Sequence, residues 1–449
     1  MQVFESIAAA HLKGPTHLTI GSFDGMHRGH QALIEVMQEA AREDGAACGL
    51  LTFHPHPRAV LQPHQPVASI NSLAERLKLY ARADLDFTIV HPFTRETAQT
   101  EPEHFMDLLK NHLALTDLWV GPDFALGRNR RGNVAFLRAY GQEIGVRVHV
   151  TPEFHWEGEP VRSSRIRNAI AAGNIEWANV WLGRFFAISG VIVYGDQRGR
   201  TLGFPTANIS ISQNRVHPAD GVYAAWAEVE GQRFPAVVNI GVRPTVNGGH
   251  RTIEAHIIDF DDDIYGRCLQ LSFVARLRDE MKFSGLDALK AQIARDRELA
   301  AWLLAQEPQL PDYERYRELS YAADWGVEVF GGSPEELFAH AAVAMFGLQA
   351  AYDVQGPTVQ QYVEVEAADR ESLLVSWLNE LLWQEETHNL MVQNVIVREL
   401  TDVALRALVF GRAGTSDLAH IKAVTYHDLA ISPPDETGGL WRAQVLFDT

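Results

Sequence analysis

Cysteine is nearly absent: Cys48 and Cys268 are the two in 449 residues. They stand far apart and form no CxxC pair. That excludes a disulfide framework or a cysteine zinc site and fits reduced structural thiols in a cytoplasmic chain. Long apolar runs are missing too. Nothing approaches the ~18 consecutive apolar residues that a membrane span needs, so no membrane association is expected. Met1 to Gly14 lacks a basic stretch followed by an apolar one, so no secretory leader is expected. Positive charge is short: 39 Lys and Arg against 57 Asp and Glu, a net of −18. That balance argues against direct nucleic-acid binding. There is no internal repeat and no low-complexity tract.

The charge is unevenly spread. From Tyr321 to Thr449 the chain has 19 Asp and Glu but 6 Lys and Arg, leaving 38 and 33 for the first 320 residues. An acidic module therefore follows a nearly balanced one. An acidic face suits a basic protein partner or cations.

The patterning predicts a multidomain chain in three parts. In residues 1–183, short apolar strands (His17–Ile20, Ala47–Phe53, Phe87–Val90, Asp117–Val120) alternate with helical stretches, which predicts a parallel α/β sheet of Rossmann-like type. In residues 184–312, short alternating segments such as Gly190–Tyr194, Val222–Glu230 and Leu269–Ala275 are broken by Gly, Pro and Asp. They predict a small antiparallel β-barrel closed by a helix over Leu286–Arg295, with Gln306–Asp312 as a linker. Residues 313–449 predict an α+β domain. Its first helix carries a capping box, Ser333 with Glu336, and has Pro334 at its first position.

The first part holds His27-Arg28-Gly29-His30 in a strand–turn–helix context. Two histidines at a helix N-terminus can meet an α-phosphate, where the dipole and free N–H groups favour an anion. The imidazoles add donors where charge grows during transfer. Gly25 and Gly29 let the backbone approach a nucleotide. By itself the HxGH pattern reads equally well as two loop histidines. Ser163-Ser164-Arg165-Ile166-Arg167 adds hydroxyls and guanidiniums suited to a leaving pyrophosphate.

The second part holds Gly195-Asp196-Gln197-Arg198-Gly199-Arg200-Thr201-Leu202-Gly203-Phe204-Pro205-Thr206-Ala207-Asn208. This is a Gly-rich loop without the Walker GKS/T ending. Spaced glycines (Gly195, Gly199, Gly203) can wrap phosphates with backbone N–H groups. The Thr206 hydroxyl and Asn208 carbonyl are hard ligands suited to Mg²⁺. Read alone, such a loop is more often a mobile surface loop. Alternation through Thr252–Phe260 puts Glu254, His256 and Ile258 on one strand face. A carboxylate there could take the proton of an attacking hydroxyl, though by pattern alone Glu254 reads as an exposed strand residue.

These stretches resemble a known family. GSFDGMHRGHQALI, TFHPHPRAVL, VGPDFALGRNRRGN and SSRIR, followed by GRTLGFPTAN, PADGVYA, NIGVRPTV, DIYG and LRDEMKF, are similar to the bacterial bifunctional riboflavin kinase/FMN adenylyltransferases. The resemblance implies phosphorylation of riboflavin to FMN and adenylylation of FMN to FAD, with ATP and Mg²⁺ in both steps. It implies that His27 and His30 contact ATP phosphates, that Asn133 lines that site, and that Ser164 and Arg167 hold the triphosphate. It makes Glu254 the kinase base, gives Thr206 and Asn208 the metal and phosphate contacts, and sets Arg278 and Phe283 near the flavin. Ser22 stands where this family often carries Asn.

In the third part, Asp324 precedes a strand and Asp448 is penultimate. By pattern these are more simply two unrelated surface acids. ADWGVEVFGGSPEELF, LLVSWLNELLW, IKAVTYHDL and WRAQVLFDT resemble archease, a small protein that helps a tRNA-splicing RNA ligase turn over. That resemblance implies a divalent cation, Ca²⁺ or Mg²⁺, at Asp324 and Asp448, a functional Lys422, and an RNA ligase partner. Gly332 stands where many members have Asp.

Two other readings stay open on sequence. One keeps the nucleotidyltransferase fold but transfers a cytidylyl group to a polyol phosphate, which the adjoining kinase-like barrel disfavours. The other makes the archease part an RNA-ligase activator, with the flavin half as tether or flavin sensor.

Overall fold

A computed structural model describes residues 1–65, 67–194, 199, 202–210, 214–243, 250–320, 325–351, 354–415, 421–435 and 439–449. These fall into two compact units. The first holds Met1–His155, Pro160–Arg167 and Ser212–Val216, and the second the remainder.

The first unit is built on six parallel strands: β1 Gln2–Phe4, β2 Thr16–Ile20, β3 Ala47–His54, β4 Phe87–Pro92, β5 Leu115–Val120 and β6 Arg147–Val150. Their order is β1-β4-β3-β2-β5-β6. Every residue of β2 is buried, the pattern of a parallel strand covered on both faces. Helix α1, Arg28–Asp44, buries Ile34, Met37 and Ala41 and ends at Gly45, whose φ of 62° is the left-handed cap glycine accepts most easily. Helix α2, Leu73–Arg82, starts with a full capping box between Ser72 and Glu75. The chain runs from β2 through β3 to β4 on one side, then crosses to β5 and β6 on the other. That reversal opens a crevice at the carboxyl ends of β2 and β5, the place where α/β sheets take ligands.

The second unit contains a closed antiparallel barrel of β7 Phe186–Val193, β8 Ala207–Ser210, β9 Gly221–Val229, β10 Gln232–Arg243, β11 His250–Ile257 and β12 Cys268–Arg278. Helix α3, Leu286–Ala305, runs ten residues past the Arg295 expected from sequence. Leu303 and Leu304 explain the extension: both are buried with Val222, Ala224 and Leu277 of the barrel. Packing therefore continues a helix whose apolar positions come late.

The same unit carries a four-stranded sheet and a three-stranded sheet. The strands are β13 Tyr316–Ser320, β14 Trp325–Gly331, β15 Thr358–Glu366, β16 Leu390–Leu400, β17 Ala404–Ala413, β18 Ala423–Ser432 and β19 Trp441–Asp448. The orders are β13-β14-β19-β18 and β15-β17-β16. Helices α4, Pro334–Leu348, and α5, Arg370–His388, share their core through Phe338, Phe346 and Trp377. The fold is thus the expected combination of parallel sheet, small barrel and α+β part. Strands β13 and β15 pair along their lengths, and β15 keeps most of its side chains at least partly exposed.

The capping box expected at Ser333 forms only in half. Ser333 Oγ accepts from Glu336 N–H at 3.2 Å, but the Glu336 carboxylate accepts from Gly332 N–H (2.8 Å) and the Tyr313 hydroxyl (2.9 Å). The tyrosine draws the carboxylate one residue upstream. Among the described residues, no helix is long and apolar enough to cross a membrane.

His340 on α4 gives this unit a pH dependence. It is half-buried, and its Nδ1–H donates to the Phe330 carbonyl at 2.6 Å. Burial, reinforced by the Arg315 charge and only partly opposed by Glu336 and Glu157, lowers its pKa to about 4. The folded state therefore refuses a proton that the unfolded chain accepts below about 6.5. Stability is full above that value and falls as pH drops toward 4, by up to about tenfold in the folding constant per pH unit. His340→Gln should flatten this slope in denaturant titrations at pH 7, 6 and 5; an unchanged slope would exclude His340 as its source.

Candidate active sites

In the first unit, the turn from β2 into α1 is held open by unusual backbone. Phe23 (φ 44°) and Met26 (φ 42°) occupy the left-handed region, and Gly25 lies at φ 86°. For the two non-glycine residues this costs roughly 1–2 kcal/mol each. Asp24 offsets it. Its buried carboxylate accepts from Ile70 N–H at 2.9 and 3.0 Å and from Asn71 N–H at 3.2 Å, and pairs with Arg167 Nη1 at 2.8 Å. The Asp24 carbonyl accepts from the Ser163 hydroxyl at 2.8 Å. Two residues earlier, the Ser22 carbonyl accepts from Arg76 Nη1 at 2.8 Å. Arg215 donates to the Ile70 carbonyl (3.0 Å) and pairs with Glu75 (2.7 Å), bracing the same segment.

That scaffold delivers the histidines. His27 is the N-cap residue of α1, and its side chain does not take the cap hydrogen bond. Its ring stacks on His30 with centroids 3.6 Å apart and planes 18° from parallel. Gly29 leaves little room between them: a Cβ there would meet Phe154 Cβ at 3.3 Å and the His27 ring at 3.4 Å. Beside this N-terminus a cleft of 640 Å³ is lined by Gly29, Leu33, Trp119, Arg138, His149 and Phe154. It lies at the β2/β5 switch point. Ser164 is exposed, while Arg167 is turned onto Asp24. Asn133 caps the helix Val134–Ile144, with its Oδ1 accepting from Phe136 N–H at 3.0 Å. His56 of the HPHP loop lies in the field of Asp24 and Arg167, and burial lowers its pKa.

Sequence reasoning missed Asp24. It stands inside the GSFDG motif, but an Asp in a glycine-rich turn reads as a turn former. Its four contacts come from segments 46 to 143 residues away.

In the barrel, β8, β11 and β10 set Asn208, Glu254 and Asn239 in one row across three strands. Ile253, Ala255 and Ile257 on the alternate face are buried inside. The expected alternation is therefore what the structure has, with Glu254 half-buried on the outer face. A cavity of 430 Å³ lies at the start of β8, lined by Gly203, Thr206, Ala207, Ala255, Ile257 and Tyr265 among others, and so borders the face alternate to Glu254. Gly199 lies against this loop, its carbonyl accepting from Phe204 N–H at 2.8 Å. A Cβ on Gly199 would sit 2.3 Å from the Phe204 oxygen and 3.2 Å from Thr206 Oγ1. Gly195 lies outside the described residues. Arg278 and Phe283 come together, with the guanidinium 5.9 Å from the ring centroid. Arg278 also pairs with Asp296 of α3 at 2.7 Å.

In the α+β part, Lys422 N–H donates to the Asp448 carbonyl at 2.8 Å, and its Nζ donates to the Thr449 carbonyl at 2.9 Å. Lys422 and Asp448 are thus neighbours, both exposed. Asp324 lies outside the described residues. Among the described residues, one group could hold a metal by spacing: His17, Asp44 and Asp117. Arg147 occupies it instead, pairing with both carboxylates at 2.5 and 2.7 Å.

Comparison with known proteins settles the family. The FAD synthetase family model matches residues 10–165 and the riboflavin kinase model residues 182–304. The bifunctional riboflavin kinase/FMN adenylyltransferase of Escherichia coli (strain K12) is 40% identical over 281 residues, 62% of this chain and 90% of that protein. The chain belongs to that family. The Bacillus subtilis (strain 168) member is 32% identical over 306 residues, 65% of this chain and 96% of its own length. The archease family model matches residues 316–449. A crystal structure described as a macrolide-efflux protein from Streptococcus pneumoniae is 29% identical, with a TM-score of 0.62, covering 67% of this chain and 98% of that one. Efflux is said of that protein; the family models and curated relatives here all concern flavin enzymes or archease.

Removing the Asp24 carboxylate should unsettle the whole turn. Asp24→Ala leaves Arg167 and two backbone N–H groups unpaired, a loss of about 3 kcal/mol. Asp24→Asn, which keeps one acceptor, should lose about half as much. Denaturant midpoints of the full chain measure both; equal midpoints for wild type and Asp24→Ala would deny Asp24 its role.

Proposed function

We propose that this chain makes FAD from riboflavin in two ATP-dependent steps, in the cytoplasm, and carries an archease-like module that assists an RNA ligase. The working division is 1–183 for adenylyl transfer, 184–312 for riboflavin phosphorylation and 313–449 for the archease-like part. The observation that supports the reading is that one chain carries two separate clefts, each beside residues suited to phosphate. A stacked histidine pair stands at a helix N-terminus beside one cleft; Gly203 and Thr206 line the other, just before Asn208, which pairs across strands with Glu254.

In the kinase step, Glu254 takes the proton of the riboflavin hydroxyl as its oxygen attacks the γ-phosphorus of ATP, and ADP leaves. The Thr206 hydroxyl, just before β8, and the Asn208 side-chain carbonyl, on β8, are hard oxygen donors, which fits Mg²⁺ and not a soft metal. Bound there, Mg²⁺ would neutralise triphosphate charge. Gly195, Gly199 and Gly203 bring backbone N–H groups to the phosphates. Arg278 and Phe283 offer a cation and a ring face to the flavin.

In the adenylyl step, a phosphate oxygen of FMN attacks the α-phosphorus of a second ATP, and pyrophosphate leaves. His27 and His30 donate to the charge that grows on the α-phosphate. The α1 N-terminus adds its dipole, with Gly25 and Gly29 permitting close approach. Ser164 and Arg167 hold the departing phosphates, and Asn133 fixes the wall of the site. In the third part, Asp448 with Asp324 would hold Ca²⁺ or Mg²⁺, with Lys422 beside them; this face meets the ligase.

Chromatography of riboflavin, FMN and FAD over time tests the scheme. Wild type should form FAD from riboflavin. Glu254→Ala should form neither product from riboflavin but still convert supplied FMN. The His27→Ala/His30→Ala double variant should stop at FMN. Each loss should exceed about a hundredfold. A wild-type chain that forms neither FMN nor FAD would leave ligase assistance as its function, with the flavin half as tether or sensor.

A further inference from the structure

The archease-like part and the kinase barrel share one core. Leu408 and Phe410 of β17 are buried in the same cluster as Val222, Leu277, Leu303 and Leu304. At its edge the Arg398 guanidinium stacks 3.9 Å from the Trp302 ring centroid. This is continuous packing, of the kind that fixes the parts it joins.

A polar cluster lies along the same contact, and it converges on Asp279. Asp279 belongs to LRDEMKF, one residue after Arg278 and four before Phe283. Its carboxylate accepts from Thr358 N–H at 2.9 Å and from the Thr358 hydroxyl at 2.8 Å. It pairs with Arg276 at 2.6 Å and lies 3.9 Å from Arg412. Arg412, buried at 5% exposure, also donates to Thr358 Oγ1 (3.3 Å), the Ala172 carbonyl (2.9 Å) and Asn174 Oδ1 (3.0 Å). The Gln360 side chain donates to the Leu277 carbonyl. Thr358, Gln360 and Arg412 all come from the archease-like part; Asp279 and Leu277 come from the barrel.

Successive side chains divide at this point. Arg278 turns to Asp296 and Phe283, while Asp279 turns to Thr358 and Arg412. The segment proposed to meet the flavin is thus anchored from behind by another family's fold. We infer that Thr358 and Arg412 are positioning residues for riboflavin: by holding Asp279 they hold Arg278 and Phe283 in their flavin-accepting arrangement, so the archease-like part is a working component of the riboflavin kinase. This rests on the reading that Arg278 and Phe283 meet the flavin. The contact has no role in ATP binding or in adenylyl transfer.

The test uses the full chain. Riboflavin Kd is read from quenching of riboflavin fluorescence, and KM for riboflavin and for ATP from the kinase reaction. Thr358→Val removes one hydroxyl at constant volume, and Arg412→Met removes the guanidinium. Each should raise riboflavin Kd and KM about five- to tenfold, the size of about 1 kcal/mol of lost positioning. KM for ATP and the conversion of FMN to FAD should stay within about twofold. Thr358→Ser, which keeps the hydroxyl, should match wild type. Arg278→Ala serves as reference. If it weakens riboflavin while Thr358→Val and Arg412→Met do not, the inference is overturned and the flavin site stands. If Arg278→Ala leaves riboflavin binding unchanged, the flavin site reading fails and the inference with it. Equal rises in KM for riboflavin and ATP would mean general loosening and would also overturn it. Should Arg412→Met fail to fold, Thr358→Val decides alone.

Discussion

Asp24 keeps its carboxylate buried at the bend between β2 and α1, and the geometry of the first site follows from that charge. A helix N-terminus can face a phosphate only if the chain entering it turns sharply, and here the turn uses left-handed backbone at Phe23 and Met26. Backbone of that kind persists only where its surroundings over-determine it. Two N–H groups from Ile70 and Asn71 and the Arg167 guanidinium supply the constraint. With the turn fixed, His27 is set as N-cap, His30 stacks on it, and the cleft beside Gly29 stays open.

Asp279 plays the corresponding part in the second unit. It too is a carboxylate at the end of a strand, satisfied by the N–H and O–H donors of Thr358 from a distant segment and by the guanidinium of Arg276 three residues away. Both sites therefore use one device: a polar loop that cannot bury apolar area is held by a multiply bonded carboxylate. Such anchors are strong where geometry is complete and costly where a partner is missing. The difference lies in the source of the donors. Those of Asp24 come from its own unit's α/β framework, whereas those of Asp279 include residues of the archease-like fold.

That borrowing bears on why two families share a chain. A tether would leave each fold with its own core. Here Leu408 and Phe410 close a core that also holds barrel residues. On the proposal that Arg278 and Phe283 meet the flavin, linkage makes the coupling reciprocal: a shift of β15 or β17 that alters flavin affinity would be opposed or favoured by flavin binding by the same factor.

The sequence by itself determined the family and the three kinds of fold. These rest on local signals: buried apolar strands, glycine spacing, caps, and runs such as GSFDGMHRGH. It also placed Glu254 on the correct strand face, because a period of two is local. What only tertiary structure decided was which distant residues hold the motifs. Asp24 reads as a turn former until Ile70 and Arg167 are brought to it, and Glu336 looks like a capping-box partner until Tyr313 draws it upstream. Strand β15 shows alternating valines, but nothing in it announces that Thr358 meets Asp279. Such contacts join segments from about twenty to well over a hundred residues apart, and no periodicity connects them.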